Sequence, residues 1–341
     1  MSLKNLNANK NHRVLQKKII NKKIKHLFNL FEKELRIREK FAVAVSGGPD
    51  SLALAFLAKV YSIKNKLAIK FFIVDHKLRS ESTKEAKFVS LLLKKKLIES
   101  EILTWKGRKP VKNIQSEARI KRYELLFKQC EKFKIKNILL GHHQGDLFEN
   151  FFIRFLRGSG LKGLISLDKR SKIKDKNILR PLIDQKKEDL VYISKKVFNF
   201  YVEDPTNLDE KFQRIRVRKL INELEKNGLN KEKFLQTIRN LKYSDNVVSF
   251  YVNENLIKNT FFSKKKNTLI LNKFFFTQPY EVIFRALSES LKLVGKKYYS
   301  VRGKKLDKII NDIKNNPSLR STLGGCIIEK VNETVIISKE Y

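Results

Sequence analysis

The sequence predicts an α/β fold, in which a parallel sheet has helices on both faces and a small, mostly helical C-terminal domain follows. Between residues 41 and 157, short apolar runs alternate with segments of helical length. A glycine-rich turn follows the first apolar run, and longer helical segments replace the alternation beyond residue 225. Strands that alternate with helices pair in parallel and bury both faces of their sheet, which gives the fold class.

These patterns divide the chain into three segments. Residues 1–38 form a basic N-terminal extension, and apolar residues at helical spacing predict an amphipathic helix over 19–38. Residues 39–225 form the main domain, which carries the alternation and all of the candidate site residues below. Residues 226–341 form an accessory domain, in which we find no catalytic constellation.

The main domain contains four predicted strand–helix pairs. They are strand 41–45 with helix 51–62, strand 69–74 with helix 81–96, a short strand near 101–105 with helix 114–133, and strand 137–141 with helix 144–157. Loops starting at Ser46, Asp75 and Gly141 leave the carboxyl ends of three of these strands. Ligands of parallel sheets bind at those ends, so we expect the three loops to form one pocket.

The accessory domain has a different predicted order of helices and strands. Its predicted helices cover 230–258, 280–294 and 303–315, and its predicted strands cover 268–271, 325–330 and 334–338.

The composition points to a polyanionic partner. Among 341 residues there are 74 Lys and Arg against 35 Asp and Glu, a formal net charge of +39. Such an excess attracts nucleic acids. The chain is also rich in Lys, Asn, Ile and Phe, as proteins from AT-rich genomes are, so part of the charge has an alternative origin in mutational drift.

Several classes of protein are disfavoured by the sequence. Cys130 and Cys326 are far apart and form no CxxC pair, which argues against a disulfide framework and a cysteine zinc site, and neither receives a predicted role. The apolar runs fall short of the 18 or so residues of a membrane span, and residues 1–25 lack the apolar centre of a secretory signal. A cytoplasmic location is expected, and the sequence carries no signal for an oligomeric state.

The stretch FAVAVSGGPDS, residues 41–51, predicts a phosphate-binding loop between a buried strand and a helix. Glycines allow close backbone approach, and a helix start offers free N–H groups to an anion. The expected nucleotide contacts are Ser46, Gly47, Gly48, Pro49, Asp50 and Ser51. Asp50 alone would repel phosphate, and a bound Mg²⁺ that takes carboxylate and phosphate oxygens would resolve this. The plainer alternative is a strand–turn–helix with capping Ser and Asp.

Two further groups are candidates for the same pocket. Asp75 and His76 follow the second strand, where they either approach a nucleoside or cap the next helix. Arg119 and Arg122 lie three residues apart on a predicted helix, so they either bind phosphate or carboxylate together or form part of a solvated face.

The segment GHHQGDLFEN, residues 141–150, carries a pair of acids. Asp146 and Glu149 stand three residues apart on a predicted helix, so their carboxylates share a face and suit an ammonium group. Arg157 lies two turns further on, where it is expected to meet phosphate or a carboxylate. Two histidines beside two acids also suggest a zinc or two-metal site, but adjacent His142 and His143 would point in different directions.

A basic helix is predicted after residue 207. Arg214, Arg216 and Arg218 recur at every second position between apolar residues, and they either follow an RNA backbone or form a plain basic surface.

These motifs together carry a resemblance. SGGPDS resembles the PP-loop of the N-type ATP pyrophosphatases, and the remaining motifs resemble the tRNA(Ile)-lysidine synthases over roughly 40–225. The matching stretches are VDHKLR, EARIKRY, HHQGDLFE, RGSGLKGL, RPL at 180–182, EDPTN at 203–207 and, in the accessory domain, TLGGC at 322–326. The family usually has Asp, Gln and Thr where this chain has Gly145, Leu147 and Asn150, but it shares Asp146 and Glu149.

The resemblance implies an adenine nucleotide alpha hydrolase-like catalytic domain over 39–225 and a tRNA-contacting domain over 226–341. It implies a ligase that uses ATP and Mg²⁺ to adenylate the C2 oxygen of the wobble cytidine in tRNA(Ile) with a CAU anticodon. The ε-amine of free L-lysine then displaces AMP to give lysidine.

The implied roles follow the motifs. The residues implied in catalysis are Asp50, Asp146, Glu149 and Arg119, and Asp50 is also implied in Mg²⁺ binding. The nucleotide is expected to bind the Ser46–Ser51 loop with Asp75 and His76. Lysine or tRNA is expected to bind Asp146, Glu149, Arg122, Arg157, Arg214 and Arg216.

Other functions are less consistent with the motifs. A PP-loop tRNA thiolase needs a reactive cysteine or iron–sulfur ligands, and neither cysteine sits in such a motif. A non-catalytic RNA-binding protein would need neither SGGPDS nor HHQGDLFE. A glutamine-dependent amidotransferase would need a Cys–His glutaminase region, which we do not find in the sequence.

Overall fold

The structure is a computed structural model. It describes residues 19–107, 114–202, 211–263, 267–296 and 301–340, so the EDPTN segment of the sequence resemblance lies outside the described residues. The chain forms two compact units that divide between Leu229 and Asn230. We refer to them as the N-terminal unit and the C-terminal unit.

The described part of the N-terminal unit is built from alternating strands and helices. Its helices are α1 (Lys22–Leu35), α2 (Pro49–Lys64), α3 (Ser82–Lys94), α4 (Ile114–Lys132), α5 (Gln144–Phe155), α6 (Leu161–Leu164), α7 (Lys187–Phe198) and α8 (Gln213–Lys226). Its strands are β1 (Phe41–Val45), β2 (Ile69–Asp75), β3 (Ser100–Thr104), β4 (Asn137–Leu139), β5 (Arg170–Ile173) and β6 (Lys176–Leu179). They form one sheet in the order β3-β2-β1-β4-β6-β5, parallel except for the edge strand β5.

Helices cover both faces of this sheet, as the sequence predicts. Side chains alternate along β1, so Phe41, Val43 and Val45 join the core that contains buried residues of α1, α2, α3 and α7. Ala42 belongs instead to the core on the opposite face, with Leu126 and other residues of α4. Burial of both faces of the sheet explains why every residue of β1 is apolar.

The sheet order places the expected pocket next to β1. The chain runs from β1 to β2 on one side of β1 and returns to β4 on the other side. Val43 pairs with Phe71 of β2 and with Leu139 of β4. The loops that leave β1 and β4 therefore start beside each other, at the kind of switch point where α/β sheets bind ligands.

The β5–β6 hairpin and α7 were not among the predicted elements. The hairpin sequence RSKIKDKNIL is interrupted by charged residues, and β5 has alternating exposed positions typical of an edge strand. The strand predicted over 137–141 ends at Leu139, which leaves residues 140–143 as a loop.

The described C-terminal unit consists of three helices and an antiparallel sheet. The helices are α9 (Lys231–Asn259), α10 (Tyr280–Gly295) and α11 (Gly303–Asn315), and the strands are β7 (Thr260–Ser263), β8 (Thr268–Leu271), β9 (Ser318–Leu323), β10 (Cys326–Val331) and β11 (Thr334–Lys339). The strand order is β7-β8-β11-β10-β9. The helices, of 29, 16 and 13 residues, make up most of the regular structure, as predicted. Strands β7 and β9 were not predicted, since β9 is the largely polar SLRSTL.

No helix in the described parts of the chain has both the length and the apolar character needed to cross a membrane.

Candidate active site

The glycine-rich loop after β1 is closed by the side chain of Ser51. Its Oγ accepts hydrogen bonds from the backbone N–H groups of Ser46 (3.1 Å) and Gly47 (3.0 Å) and donates one to the carbonyl of Gly48 (2.9 Å). The hydroxyl of Ser46 also reaches Ser51 Oγ, at 3.2 Å. Ser51 therefore holds the loop in shape, whereas the sequence suggested a direct hydroxyl contact to phosphate.

Gly47 occupies a position that a side chain would disturb. Its φ of +92° lies in a region that favours glycine, and a Cβ would come within 2.5 Å of Val89 Cγ2. The carbonyl of Gly47 accepts a hydrogen bond from the backbone N–H of Val202 at 3.0 Å. The loop is thus packed between α3 and the segment after α7.

Asp50, in the first turn of α2, is paired with Lys187, a residue that the motif analysis did not single out. Lys187 Nζ donates to both carboxylate oxygens of Asp50, at 2.8 and 2.6 Å. Lys187 is the first residue of α7, and that helix is attached to the loop because Ser194 Oγ donates to the carbonyl of Pro49 at 2.6 Å. Because Lys187 is 137 residues from Asp50 in sequence, no local sequence pattern predicts this pair.

The loop after β4 packs directly against the start of α2. A Cβ on Gly141 would lie 3.1 Å from both the carbonyl carbon and the oxygen of Asp50, so a side chain there would push the two segments apart. The backbone N–H of Gln144 donates to the carbonyl of Gln185 at 3.0 Å, which joins the start of α5 to the segment before α7. The elements that carry the expected site residues are therefore in mutual contact.

His143 caps α5 and lies between the loop and the acid pair. The Nδ1 atom of His143 accepts a hydrogen bond from the backbone N–H of Gly145 at 3.0 Å. The backbone N–H of His143 donates to Asp146 Oδ2 at 2.9 Å. A Cβ on Gly145 would come within 2.8 Å of the imidazole, which explains why glycine suits this position. Because Nδ1 is an acceptor, the proton of the neutral ring lies on Nε2.

The Nε2 atom of His143 faces two carboxylates. It lies 3.8 Å from Asp50 Oδ2 and 3.7 Å from Asp146 Oδ2. The imidazole therefore bridges the phosphate-binding loop and the acids of α5, and the two predicted groups form one site.

Asp146 and Glu149 share a face of α5, as predicted, and both are buried, with Glu149 only 4% exposed. Burial alone would raise the pKa of Asp146, but His143, His142 and Arg214 together with the backbone N–H of His143 hold that pKa below its ordinary value. The carboxylate is therefore charged at neutral pH.

Two arginines of α8 meet these acids. Arg218 Nε donates to Glu149 Oε1 at 2.5 Å, and Arg214 Nε lies 2.7 Å from Glu149 Oε2. Arg214 also approaches Asp146 Oδ1, at 3.6 Å. The sequence left the role of this basic helix open between an RNA backbone and a plain basic surface. In the structure the guanidinium groups of both arginines contact the acid pair.

The second predicted group lies at the end of β2. Both carboxylate oxygens of Asp75 accept hydrogen bonds, Oδ1 from Lys77 N and Ser82 Oγ and Oδ2 from Thr83 Oγ1. Burial would raise the pKa of Asp75, but these hydrogen bonds outweigh it and lower the pKa. Asp75 thus orders the loop that leads into α3 through two hydroxyl groups of the first turn, although no side chain caps the backbone of that helix. Its contact with a nucleoside stays a prediction.

His76 contacts Arg122 of α4. Its Nε2 accepts a hydrogen bond from Arg122 Nε at 3.4 Å. Burial first, and then the charge of Arg122, lower the pKa of His76 to about 4, so the ring is neutral at pH 7. Arg119 lies over the ring of Tyr123 at 5.6 Å, and its guanidinium is directed differently from that of Arg122.

The neighbouring His142 is also neutral. Burial, reinforced by the positive charges of Arg180, Arg119 and Arg214, lowers the pKa of His142 to about 3 despite the opposing effect of Asp146. Its buried Nδ1 has no hydrogen-bond partner among the described residues. Arg180, of the RPL segment, donates to the carbonyl of Asp168 and to Ser171 Oγ.

The remaining predicted arginines lie outside this cluster of contacts. Arg157 follows the end of α5 and donates to Gln213 Oε1 at 2.5 Å, while Arg216 donates to the carbonyl of Lys211 at 3.1 Å. Both side chains are exposed. Their predicted contacts with phosphate, lysine or RNA stay predictions.

The donor set favours a nucleotide-linked metal over a protein-only metal cage. Among the described residues, no three or more His, Cys, Asp or Glu side chains form a group that could hold a metal ion, so the zinc and two-metal alternatives receive no support. Mg²⁺ commonly binds through one carboxylate together with substrate phosphates and water. Asp50 fits that pattern, because its partly exposed carboxylate stands in the loop and its described partner Lys187 is flexible and partly exposed.

Both cysteines are buried within the cores of their units. Burial raises the pKa of the Cys130 thiol to about 12, and Cys326 Sγ donates to the carbonyl of Leu291. Neither has the exposed, low-pKa environment of a reactive cysteine.

Comparisons with known proteins identify the family of this chain. Residues 16–225 match the PP-loop domain family. The tRNA(Ile)-lysidine synthase of Wolbachia pipientis wMel is 34% identical over 304 residues, covering 88% of this chain and 70% of that protein. The tRNA(Ile)-lysidine synthase of Orientia tsutsugamushi (strain Boryong) is also 34% identical, covering 89% and 70%.

A solved structure shares the fold. The U34-tRNA thiolase NcsA from Methanococcus maripaludis, solved with its [4Fe-4S] cluster, superposes with a TM-score of 0.56, covering 65% of this chain and 78% of that chain at 18% sequence identity. At that identity the likeness concerns the fold alone. With a PP-loop domain over most of its N-terminal unit and two relatives matched along most of its length, this chain belongs to the tRNA(Ile)-lysidine synthase family of PP-loop enzymes.

Proposed function

We propose that this chain is a tRNA(Ile)-lysidine synthase that joins lysine to the wobble cytidine of tRNA(Ile) with a CAU anticodon. In the first step, the C2 oxygen of the cytidine bonds to the α-phosphorus of ATP, and pyrophosphate leaves. In the second step, the ε-amine of L-lysine bonds to C2, the C2–O bond to AMP breaks, and a proton leaves the amine. We expect this reaction to take place in the cytoplasm.

The observation that carries the proposal is the position of His143. Its Nε2 lies within 3.8 Å of the phosphate-loop carboxylate of Asp50 and within 3.7 Å of Asp146. A nucleotide in the loop would therefore have its phosphates beside the acid pair. Adenylation and attack by an amine need these two groups in one pocket, whereas RNA binding alone needs neither.

The acid pair suits a substrate ammonium group. Asp146 and Glu149 are buried carboxylates, and in the structure their positive partners come from Arg214 and Arg218. Arg214 contacts Glu149 at 2.7 Å and Asp146 at 3.6 Å, but its side chain is 44% exposed, so a substrate ammonium can displace it from the acids into solvent. We propose that the ammonium of lysine takes the place of the Arg214 guanidinium while Arg218 keeps its bond to Glu149.

The remaining groups hold the nucleotide and the tRNA. Backbone N–H groups of the loop and the start of α2 would bind phosphate, and Asp50 would hold Mg²⁺. When bound, Mg²⁺ offsets negative charge that develops on the phosphate oxygens. Arg119, Arg122, Arg157 and Arg216, together with the accessory domain 226–341, are proposed to contact phosphates of the tRNA or the lysine carboxylate.

A thiolase is the second candidate because the solved thiolase NcsA has the same fold. Both cysteines of this chain are buried, and the thiol pKa of Cys130 is raised to about 12. A buried protonated thiol is a poor nucleophile and a poor iron–sulfur ligand, so the observations favour the lysidine synthase.

The decisive experiment incubates the protein with ATP, labelled lysine and tRNA(Ile) bearing the CAU anticodon. A matched tRNA in which uridine replaces the wobble cytidine serves as the control. We expect label in the first tRNA alone, with AMP and pyrophosphate formed in equal amounts. ATP-dependent thiolation of the RNA, or RNA binding without ATP consumption, would overturn the proposal.

A further inference from the structure

The contact between Lys187 and Asp50 has features of a functional pair. Lys187 Nζ donates to both oxygens of Asp50, at 2.8 and 2.6 Å, in the mouth of the phosphate-binding loop. Neither side chain is fully buried, with exposed fractions of 42% and 22%. Exposed pairs of this kind contribute little to stability, so the structural benefit alone does not explain the arrangement.

The helix that carries Lys187 opposes its charge. Lys187 is the first residue of α7, where the positive end of the helix dipole disfavours a cation and favours an anion. The same point offers free backbone N–H groups. Glu188 and Asp189 in the first turn already supply negative charge to this helix start, so the Lys187 ammonium, rather than the helix end, is the group that would bind an anion here.

Two contacts fix the backbone of Lys187 relative to the rest of the site. Ser194 of the same helix donates to the carbonyl of Pro49 in the loop. The carbonyl of Gln185, just before the helix, accepts from Gln144 at the start of α5. The ammonium group is thus held on a flexible side chain whose base is fixed between the loop and the acid helix.

We infer that Lys187 is a catalytic residue that binds the β- and γ-phosphates of ATP during adenylation, and that Asp50 is its partner only before the nucleotide binds. The inference rests on the proposed function. As the cytidine oxygen bonds to the α-phosphorus, the bond from that phosphorus to the bridging oxygen breaks, and its electron pair remains on pyrophosphate. The ammonium of Lys187 offsets the charge that grows on this leaving group.

The test compares ATP and AMP binding to the full-length protein, measured by calorimetry without tRNA. Lys187→Met should weaken ATP binding about ten- to a hundredfold, the effect of one charge-assisted hydrogen bond, and should leave AMP binding within about twofold. Lys186→Met is the matched control, because Lys186 is exposed and adjacent, and it should bind both nucleotides as the unchanged protein does. Lys187→Arg should recover part of the ATP affinity.

The double variant Asp50→Asn with Lys187→Met separates the inference from a purely structural pair. The double variant is compared with Asp50→Asn alone, so that any loss caused by Asp50 itself is common to both. If Lys187 only neutralises Asp50, removing it costs nothing once residue 50 is neutral, and equal ATP affinities of the two variants would overturn the inference. If Lys187 binds phosphate, the double variant binds ATP about ten- to a hundredfold more weakly than Asp50→Asn. An equal loss of ATP and AMP affinity in Lys187→Met would also overturn it. These binding measurements do not require lysidine formation, so failure of the proposed function would show separately in the labelling experiment.

Discussion

The two units of the molecule use their sheets in opposite ways. In the N-terminal unit the parallel strands β1, β2 and β4 end at one edge, and the polar groups that follow them gather there. In the C-terminal unit the antiparallel strands end alternately at opposite edges. Its buried polar side chains among the described residues are Asn255, Arg285 and Ser290, and each has a partner within the unit.

The difference shows why chemistry is expected in one unit and surface contacts in the other. A parallel sheet brings residues such as Asp50 and Asp146 together although they are far apart in sequence. An antiparallel sheet disperses its strand ends. The buried charge of the C-terminal unit, Arg285 on α10, is neutralised within the helices by Asp245 and Glu281. The predictions below test this division of roles.

The largest effect is expected at the phosphate-binding loop. Asp50→Ala should lower ATP-dependent adenylation about a thousandfold, because it removes the carboxylate proposed to hold Mg²⁺. The affinity for tRNA should stay near that of the unchanged protein, since tRNA binding rests on other residues. Pyrophosphate release and tRNA binding are measured in parallel, and release at the normal rate would contradict the role given to Asp50.

The basic surfaces should make tRNA binding strongly salt-dependent. With about four phosphate contacts, the affinity should fall about a hundredfold between roughly 50 and 200 mM salt, because bound counterions are released. Replacing Lys304, Lys305 and Lys308, which are exposed or nearly so on α11, by Gln tests the share of the C-terminal unit. The slope of log K against log salt should become shallower in this variant. A flat slope for the unchanged protein would mean that most of the +39 charge is unrelated to tRNA.

Lysine recognition should be separable from ATP chemistry. Glu149→Gln removes a charge-assisted hydrogen bond and should raise the lysine KM about ten- to a hundredfold, while adenylation continues. Asp146→Asn should behave alike. Arg157→Ala should leave the lysine KM unchanged if its guanidinium binds a tRNA phosphate and should raise it if the guanidinium binds the lysine carboxylate, so this variant decides between the two contacts proposed for Arg157. Adenylated tRNA and lysidine are measured separately for each variant. Loss of adenylation in Glu149→Gln with an unchanged lysine KM would assign the acids to Mg²⁺ or to the cytidine.

Acid should destabilise the N-terminal unit first, because His76 and His142, whose pKa values are lowered by burial, both lie in that unit. The pKa values of His76 and His142 fall to about 4 and about 3 in the folded state, while the unfolded values lie near 6.5. The unfolded chain therefore binds more protons below about pH 6.5, and stability declines from there as the pH falls toward 4. Asp75 and Asp146, whose pKa values are lowered, affect stability at a lower pH than the histidines do. Their contribution to the free energy of unfolding is lost only below about pH 3.9.

Hydrogen exchange resolved by unit, at pH 7 and pH 5, measures this difference. His76→Gln and His142→Gln should each reduce the pH dependence of the N-terminal unit. Equal losses of protection in both units would contradict the assignment to the histidines.

The smallest effect is expected at Arg214. If its guanidinium occupies the place of the substrate ammonium, Arg214→Ala should lower the lysine KM about two- to fivefold, the range for a partly exposed ion pair. Arg218→Ala is the comparison, because it leaves the buried Glu149 without its other partner and should impair the enzyme instead. A lysine KM that rises in Arg214→Ala would mean that this residue binds substrate.

The sequence predicted the fold class and the shared helix face of Asp146 and Glu149 because both depend on local patterns. The single pocket expected from the loops after β1, β2 and β4 stays a prediction. Apolar runs such as 41–45 and motifs such as HHQGDLFE report burial and helix faces directly. Lys187 and Arg218 carried no such signal, since their partners lie 137 and 69 residues away and only the tertiary structure brings them together. Ser51 was predicted as a phosphate ligand, but its contacts within the loop depend on a backbone geometry that residue type alone does not specify.

Gly141 has a consequence for how mutations in this enzyme should be classified. A Cβ on this glycine would lie 3.1 Å from the backbone of Asp50, so a methyl group fits only if the loop or the start of α2 moves by a few tenths of an ångström. The close contact of the two segments is thus established when the chain folds, which reduces the entropy lost in aligning the reacting groups. Gly141→Ala would therefore slow the reaction by placing the two substrates less favourably relative to each other, which lowers their effective concentration, although residue 141 has no functional group of its own.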